Sequence, residues 1–417
     1  MILVSEKKII FFIFKIITDT CELFDYSNEK EKERKERNTA IEDSTYLILK
    51  RDTFSFLRLD NQSNIEMKNG EVLLCKIRKN KNNTYFLENP LPLNISEENS
   101  NNLNTKLWYI LNSGNLKTKD NIINKNYYLN KNDIIKFGNI KYKVLEIFIN
   151  SKKKVNIKEG NNETIINNID IMDEYDISSL NKNSGDIFDF SLTPKEFYET
   201  KDENKDFKCF ICGHNDCKKD NPMIRLCNCS LFHLVCLKNK INKNKKIIEK
   251  KNVINYYFKK IKCTKCNFVY PIRINIEGKI YNLFELEKQT DCDYLIIESV
   301  ENKMFFGYLK LIHFIKLNEN EIKIGRNQQK NDIIICDPCV SKEHAIIKYD
   351  KEKEKILLTN ISQKYGTFVL IKKSLKINEN KIQIQIGKVF IEAQAMKFGD
   401  FEKSKNRQTK YPLKKKD

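Results

Sequence analysis

Apolar residues recur along the chain in short runs broken by turns rich in Asn, Lys and Gly, and that rhythm predicts strands. Between residues 44 and 150 the runs 46–49, 54–59, 72–77 and 108–111 are followed by the stretch 127–138 and a closing run, 140–149. Many short strands at such spacing predict an all-β sandwich or barrel. A second β-rich region extends from about 281 to 396. Other segments break the rhythm. Residues 29–38 are a charge run suited to a solvated helix or arm, 151–206 are rich in Asn, Asp, Glu, Ser and Lys without sustained periodicity, and 401–417 are basic. The second of these reads as a disordered linker. Between Cys236 and Cys263, Ile247, Ile254, Phe258 and Ile261 fall at helical spacing, which predicts an inserted helix with one apolar face. The expected partition is an arm (1–43), an N-terminal β domain (44–150), a linker (151–206), a cysteine-rich finger (207–274), a C-terminal β domain (275–400) and a basic tail (401–417).

Composition narrows the class. At roughly 150 residues per domain, 417 residues predict two to three folded units. A hydrophobic share of 40% supplies their cores and excludes collagen-like or wholly disordered chains. Lys and Arg number 75 against 56 Asp and Glu, a formal +19 that would suit nucleic acid or an anionic surface. Lys, Asn and Ile are enriched along the whole chain, so the charge says little about partners, and nucleic acid is not an expected one. The apolar run 9–17, interrupted by Lys15, is too short to span a bilayer and is expected as a buried strand or short helix, so no membrane span is expected. The chain has no nucleotide-binding loop, no paired catalytic carboxylates and no nucleophile–base constellation. Catalysis, if there is any, is borrowed from a partner.

Eight of the 13 cysteines lie between Cys209 and Cys266. Disulfide frameworks of secreted proteins spread their cysteines over a small domain, so this clustering predicts metal binding in a reducing, intracellular compartment, cytoplasmic or nuclear. The donors stand as Cys209-x2-Cys212, Cys227-x-Cys229, His233-x2-Cys236 and Cys263-x2-Cys266, enough for two tetrahedral zinc shells. The pairs can be wired consecutively or crossed. Crossing is preferred, with Cys209, Cys212, His233 and Cys236 on one ion and Cys227, Cys229, Cys263 and Cys266 on the other, because Cys227 and Cys229 sit close enough to His233 to lie between the ions. His214 and Cys217 are surplus donors. The segments 209–212, 221–224, 226–230, 233–237 and 263–266 resemble the variant RING finger of RING-CH type, with seven Cys and one His. That resemblance implies a cross-braced finger that docks a ubiquitin-conjugating enzyme through Ile211 and Pro271. Only three residues separate Cys229 from His233, and Lys240 stands where the family carries tryptophan. Plant-homeodomain fingers share the ligand count, but Ile261 occupies the position of their usual aromatic.

The segments 322–326, 331–335, 340–345 and 365–369 together resemble a forkhead-associated (FHA) domain, which implies a β-sandwich whose loops bind phosphothreonine. The residues carry a physical logic of their own. Gly325 lets the backbone turn sharply at a strand end, Arg326 can offer a planar fork to a phosphate dianion, and Ser341 adds a hydroxyl donor from a neighbouring loop. His344 is expected to hold that loop, with Gly366 and Thr367 as further structural positions. Lys342 and Lys364 match peptide-facing positions of the family, whereas its asparagine before Gly366 is Tyr365 here. Cys336 and Cys339 have no second pair nearby and are taken as incidental. With 281–285, 294–298 and 385–387, the chain resembles a protist group joining a variant RING to an FHA domain. By that resemblance 44–150 is a degenerate FHA-like domain. It has no Gly-Arg followed by Ser-x-x-His, so no phosphate binding is expected there.

The expected fold is thus multidomain and mainly β. The expected function is a phosphothreonine-dependent adaptor with a two-zinc finger that directs ubiquitination of phosphorylated targets. The alternatives are an active RING-type ubiquitin ligase and a chromatin or nucleic-acid-associated factor.

Overall fold

Trp108–Leu111 and Ile134–Phe137 bury every side chain they carry, so each strand needs partners on both edges and cover on both faces. Both find them across the chain. The computed structural model describes residues 7–16, 32–33, 39–41, 45–50, 53–58, 71–82, 84–89, 106–111, 126–149, 187–190, 208–216, 218, 220–276, 279–287, 292–300, 308–318, 320–372, 374–377, 382–387 and 389–397. Ile134–Phe137 pairs with Ile140–Phe148 on one edge and Thr367–Leu370 on the other, and Trp108–Leu111 lies between Thr367–Leu370 and Ile382–Ile386. These strands belong to a long sheet whose far end is Lys245–Lys250, Val253–Lys259, Tyr308–Lys316 and Tyr294–Ser299, the last pairing with Ile140–Phe148.

A second sheet runs Ile333–Ile334, Ile322–Gly325, Ala345–Asp350, Lys355–Asn360 and Asn126–Leu129. Its buried Ile322, Ile324, Ala345, Ile347, Ile356 and Leu358 share one core with Ile135, Phe137, Tyr142, Leu295, Ile297 and Val369 of the long sheet, which makes the C-terminal sandwich. The strands expected to form a self-contained N-terminal sandwich are therefore shared out. Those of 108–148 complete the C-terminal sandwich, and Thr45–Lys50, Thr53–Arg58, Glu71–Lys79 and Tyr85–Glu88 form a sheet finished by Leu375–Ile377. Alternation along a sequence marks a strand and its buried face, but not the strand it pairs with.

The insertion between Cys236 and Cys263 departs from expectation in a different way. A helix does begin there, at Leu234–Lys243, burying Leu234, Leu237 and Ile241. Residues 247–261, expected as helix, instead lie on the hairpin Lys245–Lys250 and Val253–Lys259 or just beyond it. The reason is packing on both faces. Val253 joins Leu295, Ile297 and Ile315 in the sandwich core, while Ile254, Tyr256 and Phe258 join Tyr294, Ile296, Ile312 and Phe314 on the opposite face. That second face packs against the finger through Ile224, Leu226, Phe232, Leu234, Leu237 and Ile241. The finger is thus seated on the outer surface of the sandwich sheet.

Two buried polar groups fasten this seat. Arg273, just past the last cysteine pair, donates to both carboxylate oxygens of Glu298 at 2.7 and 2.5 Å, and Lys310 Nζ lies 2.8 Å from Oε1 of the same carboxylate. Burial alone would raise the Glu298 pKa, but the two cations more than offset it and bring it down to about 2. His313 Nδ1 lies 2.7 Å from Asn255 Oδ1 and its Nε2 3.4 Å from the Tyr142 hydroxyl; burial pushes this imidazole down to about 3, so it is neutral at pH 7.

At the other end of the long sheet, Lys7–Ile16 forms a strand beside Val389–Lys397. Within 151–206 the described strand Ile187–Phe190 pairs parallel with Arg273–Ile276; the remainder of that segment and 401–417 lie outside the described residues. Among the described residues no helix is long and apolar enough to cross a membrane.

Candidate functional site

The cysteine-rich region is built on two similar turns. The Cys209 amide donates to the His214 carbonyl and its own carbonyl accepts from Gly213; Cys263 does the same with Phe268 and Asn267. The residue that closes each turn, Gly213 at φ 74° or Asn267 at φ 60°, is left-handed, a conformation Gly and Asn adopt at least cost. The hairpin Met223–Cys227 and Ser230–His233 carries the middle donors, and the helix that follows carries Cys236.

These elements gather the eight expected ligands into two groups, Cys209, Cys212, His233 and Cys236, and Cys227, Cys229, Cys263 and Cys266, with the donor atoms of each group within 4.8 Å of one another. This grouping is the one that the crossed arrangement requires. A tetrahedral ion with metal–sulfur bonds of about 2.3 Å needs sulfurs roughly 3.8 Å apart, so either group can close on one ion with little movement. His233 presents Nδ1 to the cluster, 3.3 Å from Cys212 Sγ and 3.8 Å from Cys236 Sγ, while Nε2 lies 2.5 Å from the Asp216 carbonyl. That outer contact fixes the tautomer a ligand needs, with the proton on Nε2.

The electrostatics fit a cation. Burial raises Cys209, but the amides of Cys212, His233 and Ile211 outweigh it and bring the thiol down to about 7; amides of Cys266 and Lys265 bring Cys263 to about 6. Their neighbours move the other way. Hydrogen bonding to Cys266, then burial, pushes Cys229 up to about 12, and burial followed by Cys212 does the same to Cys236. The three thiols of one group and the four of the other cannot all ionise at such short range, and a divalent cation removes the conflict. The surplus donor His214 lies outside both groups, and Cys217 lies outside the described residues.

Ile211 is exposed, beside exposed Phe210 and Val235, and the Lys240 ammonium sits 5.8 Å from the Phe210 ring centroid. Pro271, expected as a partner contact, is buried and unavailable to one. Its sequence neighbours Tyr270 and Ile272 are both in the finger core, and Arg273 two residues on is tied to buried Glu298.

The sandwich loops bring Arg326 and Ser341 together through the backbone. The Arg326 amide donates to the Ser341 carbonyl at 3.0 Å, and the Asn327 amide donates to the Lys342 carbonyl at 3.1 Å. Gly325 is required by close approach, since a Cβ there would stand 2.5 Å from the Lys342 carbonyl oxygen and 2.9 Å from Asn331 Oδ1. Arg326, Lys342 and Lys364 are exposed, and Lys364 Nζ lies 5.1 Å from the Tyr365 ring centroid. His344 is fully buried; burial pushes it down to about 4, so it is neutral at pH 7. Its Nδ1 accepts the Ser341 amide at 3.1 Å, which leaves the proton on Nε2, facing the Gly366 backbone without a well-formed hydrogen bond. The imidazole therefore holds the serine loop from behind. Thr367 Oγ1 donates to Asn360 Oδ1 at 2.9 Å, and Asn360 in turn donates to the Ser362 carbonyl at 3.1 Å.

Two residues of this site, Ser362 and Lys250, carry no expectation from the sequence, and Asn331 is expected there only as part of the segment 331–335 without a role of its own. Ser362 Oγ lies 2.6 Å from Ser341 Oγ and accepts the Tyr365 amide at 3.0 Å. Asn331 Nδ2 donates to the carbonyls of Asn327 and Lys342, both at 2.7 Å, and so closes the loop after Arg326. Asn331 lies inside the segment 331–335 and Ser362 three residues before 365–369, but their partners follow only from the folded loops. Lys250, which holds the same loop from the finger's hairpin, carried no local signal.

The family model of the FHA domain matches residues 322–391, a stretch that includes Arg326, Ser341 and His344. No curated protein and no solved structure matches the chain.

Proposed function

We propose that the protein is an adaptor that binds phosphothreonine-containing proteins through Arg326 and Ser341, with a finger that holds two zinc ions as structural elements. The observation that carries the reading is the backbone stitch between the loops, which holds the main chain of exposed Arg326 beside that of Ser341 within the segment matched to the FHA domain. A phosphothreonine dianion, with about −1.5 to −2 charges, would take the arginine fork and the serine hydroxyl, while Lys342 and Lys364 face the flanking peptide. Three thiolates with one imidazole, and four thiolates, are donor sets suited to closed tetrahedral zinc. When bound, those ions fix the fold of the finger. Screening the full chain against matched phosphorylated and unphosphorylated threonine peptides tests the reading. A phosphate-dependent gain supports it, and equal binding to both sets overturns it.

A second reading, a RING-type ubiquitin ligase, is favoured by the exposed Phe210, Ile211 and Val235 beside the first ligand group. Autoubiquitination across a panel of conjugating enzymes, with Ile211→Ala as control, decides it. Chain formation lost in that variant supports ligase activity, and its absence with the wild type leaves the adaptor.

A further inference from the structure

Lys250 ends the first strand of the hairpin that the finger inserts between its own ligands Cys236 and Cys263. Among the described residues its ammonium is not paired with a carboxylate. It donates to two main-chain carbonyls of the sandwich, Gln328 at 2.9 Å and Asn331 at 2.6 Å. Both belong to the loop that leaves Arg326. Within the loop the Asn331 amide donates to the Asn327 carbonyl at 3.2 Å and the Gln329 amide to Asn327 Oδ1 at 2.9 Å, and the Asn327 amide and Asn331 Nδ2 tie it to the Lys342 carbonyl. The hairpin offering Lys250 is itself rigid: Val253–Lys259 is laddered to Tyr308–Lys316, and the turn residue Asn252 accepts the Lys316 amide at 2.8 Å and Asn318 Nδ2 at 2.7 Å.

Resting on the phosphothreonine reading, we infer that Lys250 is a positioning residue of the phosphate site, by which the finger sets the loop that aims Arg326. The chemistry favours this role over direct ligand contact. Two donors of the ammonium are spent on carbonyls, and a cation bridging two carbonyls of one loop fixes its path as no flexible surface lysine would. Without it those carbonyls lose charge-assisted partners, and the loop after Arg326 is held by the Ser341 stitch and by the bonds of Asn327 and Asn331 to the Lys342 carbonyl. The finger thereby contributes to binding without touching the peptide.

The test uses the full chain, Lys250→Met and Lys250→Gln, and two readouts. Amide hydrogen exchange without peptide reports the loop itself, and the Asn331 amide should exchange faster in Lys250→Met. Titration with a phosphothreonine peptide should show binding weakened about three- to tenfold in Lys250→Met, with Lys250→Gln in between. Because Lys250 acts through Arg326, Arg326→Ala with Lys250→Met should bind no more weakly than Arg326→Ala alone. Losses that multiply would make Lys250 a direct contact and overturn the inference. So would unchanged exchange and unchanged affinity in Lys250→Met. If that variant does not fold, Lys250→Gln carries the same comparison. If the wild type binds no phosphopeptide, the phosphothreonine reading fails, while the exchange result still decides whether Lys250 orders the loop.

Discussion

A guanidinium, a hydroxyl and a glycine that cannot be larger make up most of the candidate phosphate site. Arg326→Ala should weaken phosphothreonine binding about tenfold to a hundredfold, because it removes hydrogen bonds to a charged ligand. Ser341→Ala should cost less, and Arg326→Lys should rescue only in part, since a point charge does not reproduce the fork. Calorimetric titration of each variant with one peptide checks the order. Gly325→Ala should destabilise the fold by about 1–3 kcal/mol, measured by denaturant unfolding, because the new methyl meets the Lys342 carbonyl, which is main chain and cannot swing aside. Gly325, Arg326, Ser341 and His344 were legible because each sits in a short motif of fixed order. Ser362 and Asn331 act only through contacts that the folded loops create, and Lys250 reaches the site from another part of the sequence altogether.

Among the elements, the finger's hairpin teaches most about what the pattern of apolar residues can carry. Ile254, Phe258 and Ile261 suited a helix, yet Ile254, Tyr256 and Phe258 are one face of a strand whose other face, at Val253, is also buried. A strand covered on both sides has no polar face to mark its period, so short apolar runs of this kind fit helix and strand alike. The strand segments and the crossed ligand groups were legible, since both follow from local spacing; the pairing of 108–148 with C-terminal strands was not. The ion group under the finger makes a separate prediction. Glu298→Gln leaves Arg273 and Lys310 buried beside a neutral amide and should cost about 3–5 kcal/mol near neutral pH. A depressed carboxylate stabilises above its unfolded pKa and loses that contribution as pH falls through its folded value. The gap between wild type and variant should therefore hold down to about pH 4.5 and close as pH falls towards about 2. Chemical unfolding of both proteins over that range measures it.

Across the whole molecule, finger and sandwich are one unit. Cys236 belongs to one ligand group and Cys263 to the other, and the chain between them forms the last two strands of the sandwich's long sheet before returning. Metal loading of these two groups would thereby be tied to sandwich integrity. Elemental analysis should find two zinc ions per chain, and Cys227→Ser should lose at least one of them. Chelation should also weaken phosphopeptide binding, although no ligand cysteine lies in the 322–391 segment. The most direct test of phosphothreonine recognition is one titration, a phosphothreonine peptide and its unphosphorylated twin into the full wild-type chain and into Arg326→Ala. Binding should require the phosphate and fall at least about tenfold in the variant. Binding indifferent to the phosphate, or equal in Arg326→Ala, would contradict it.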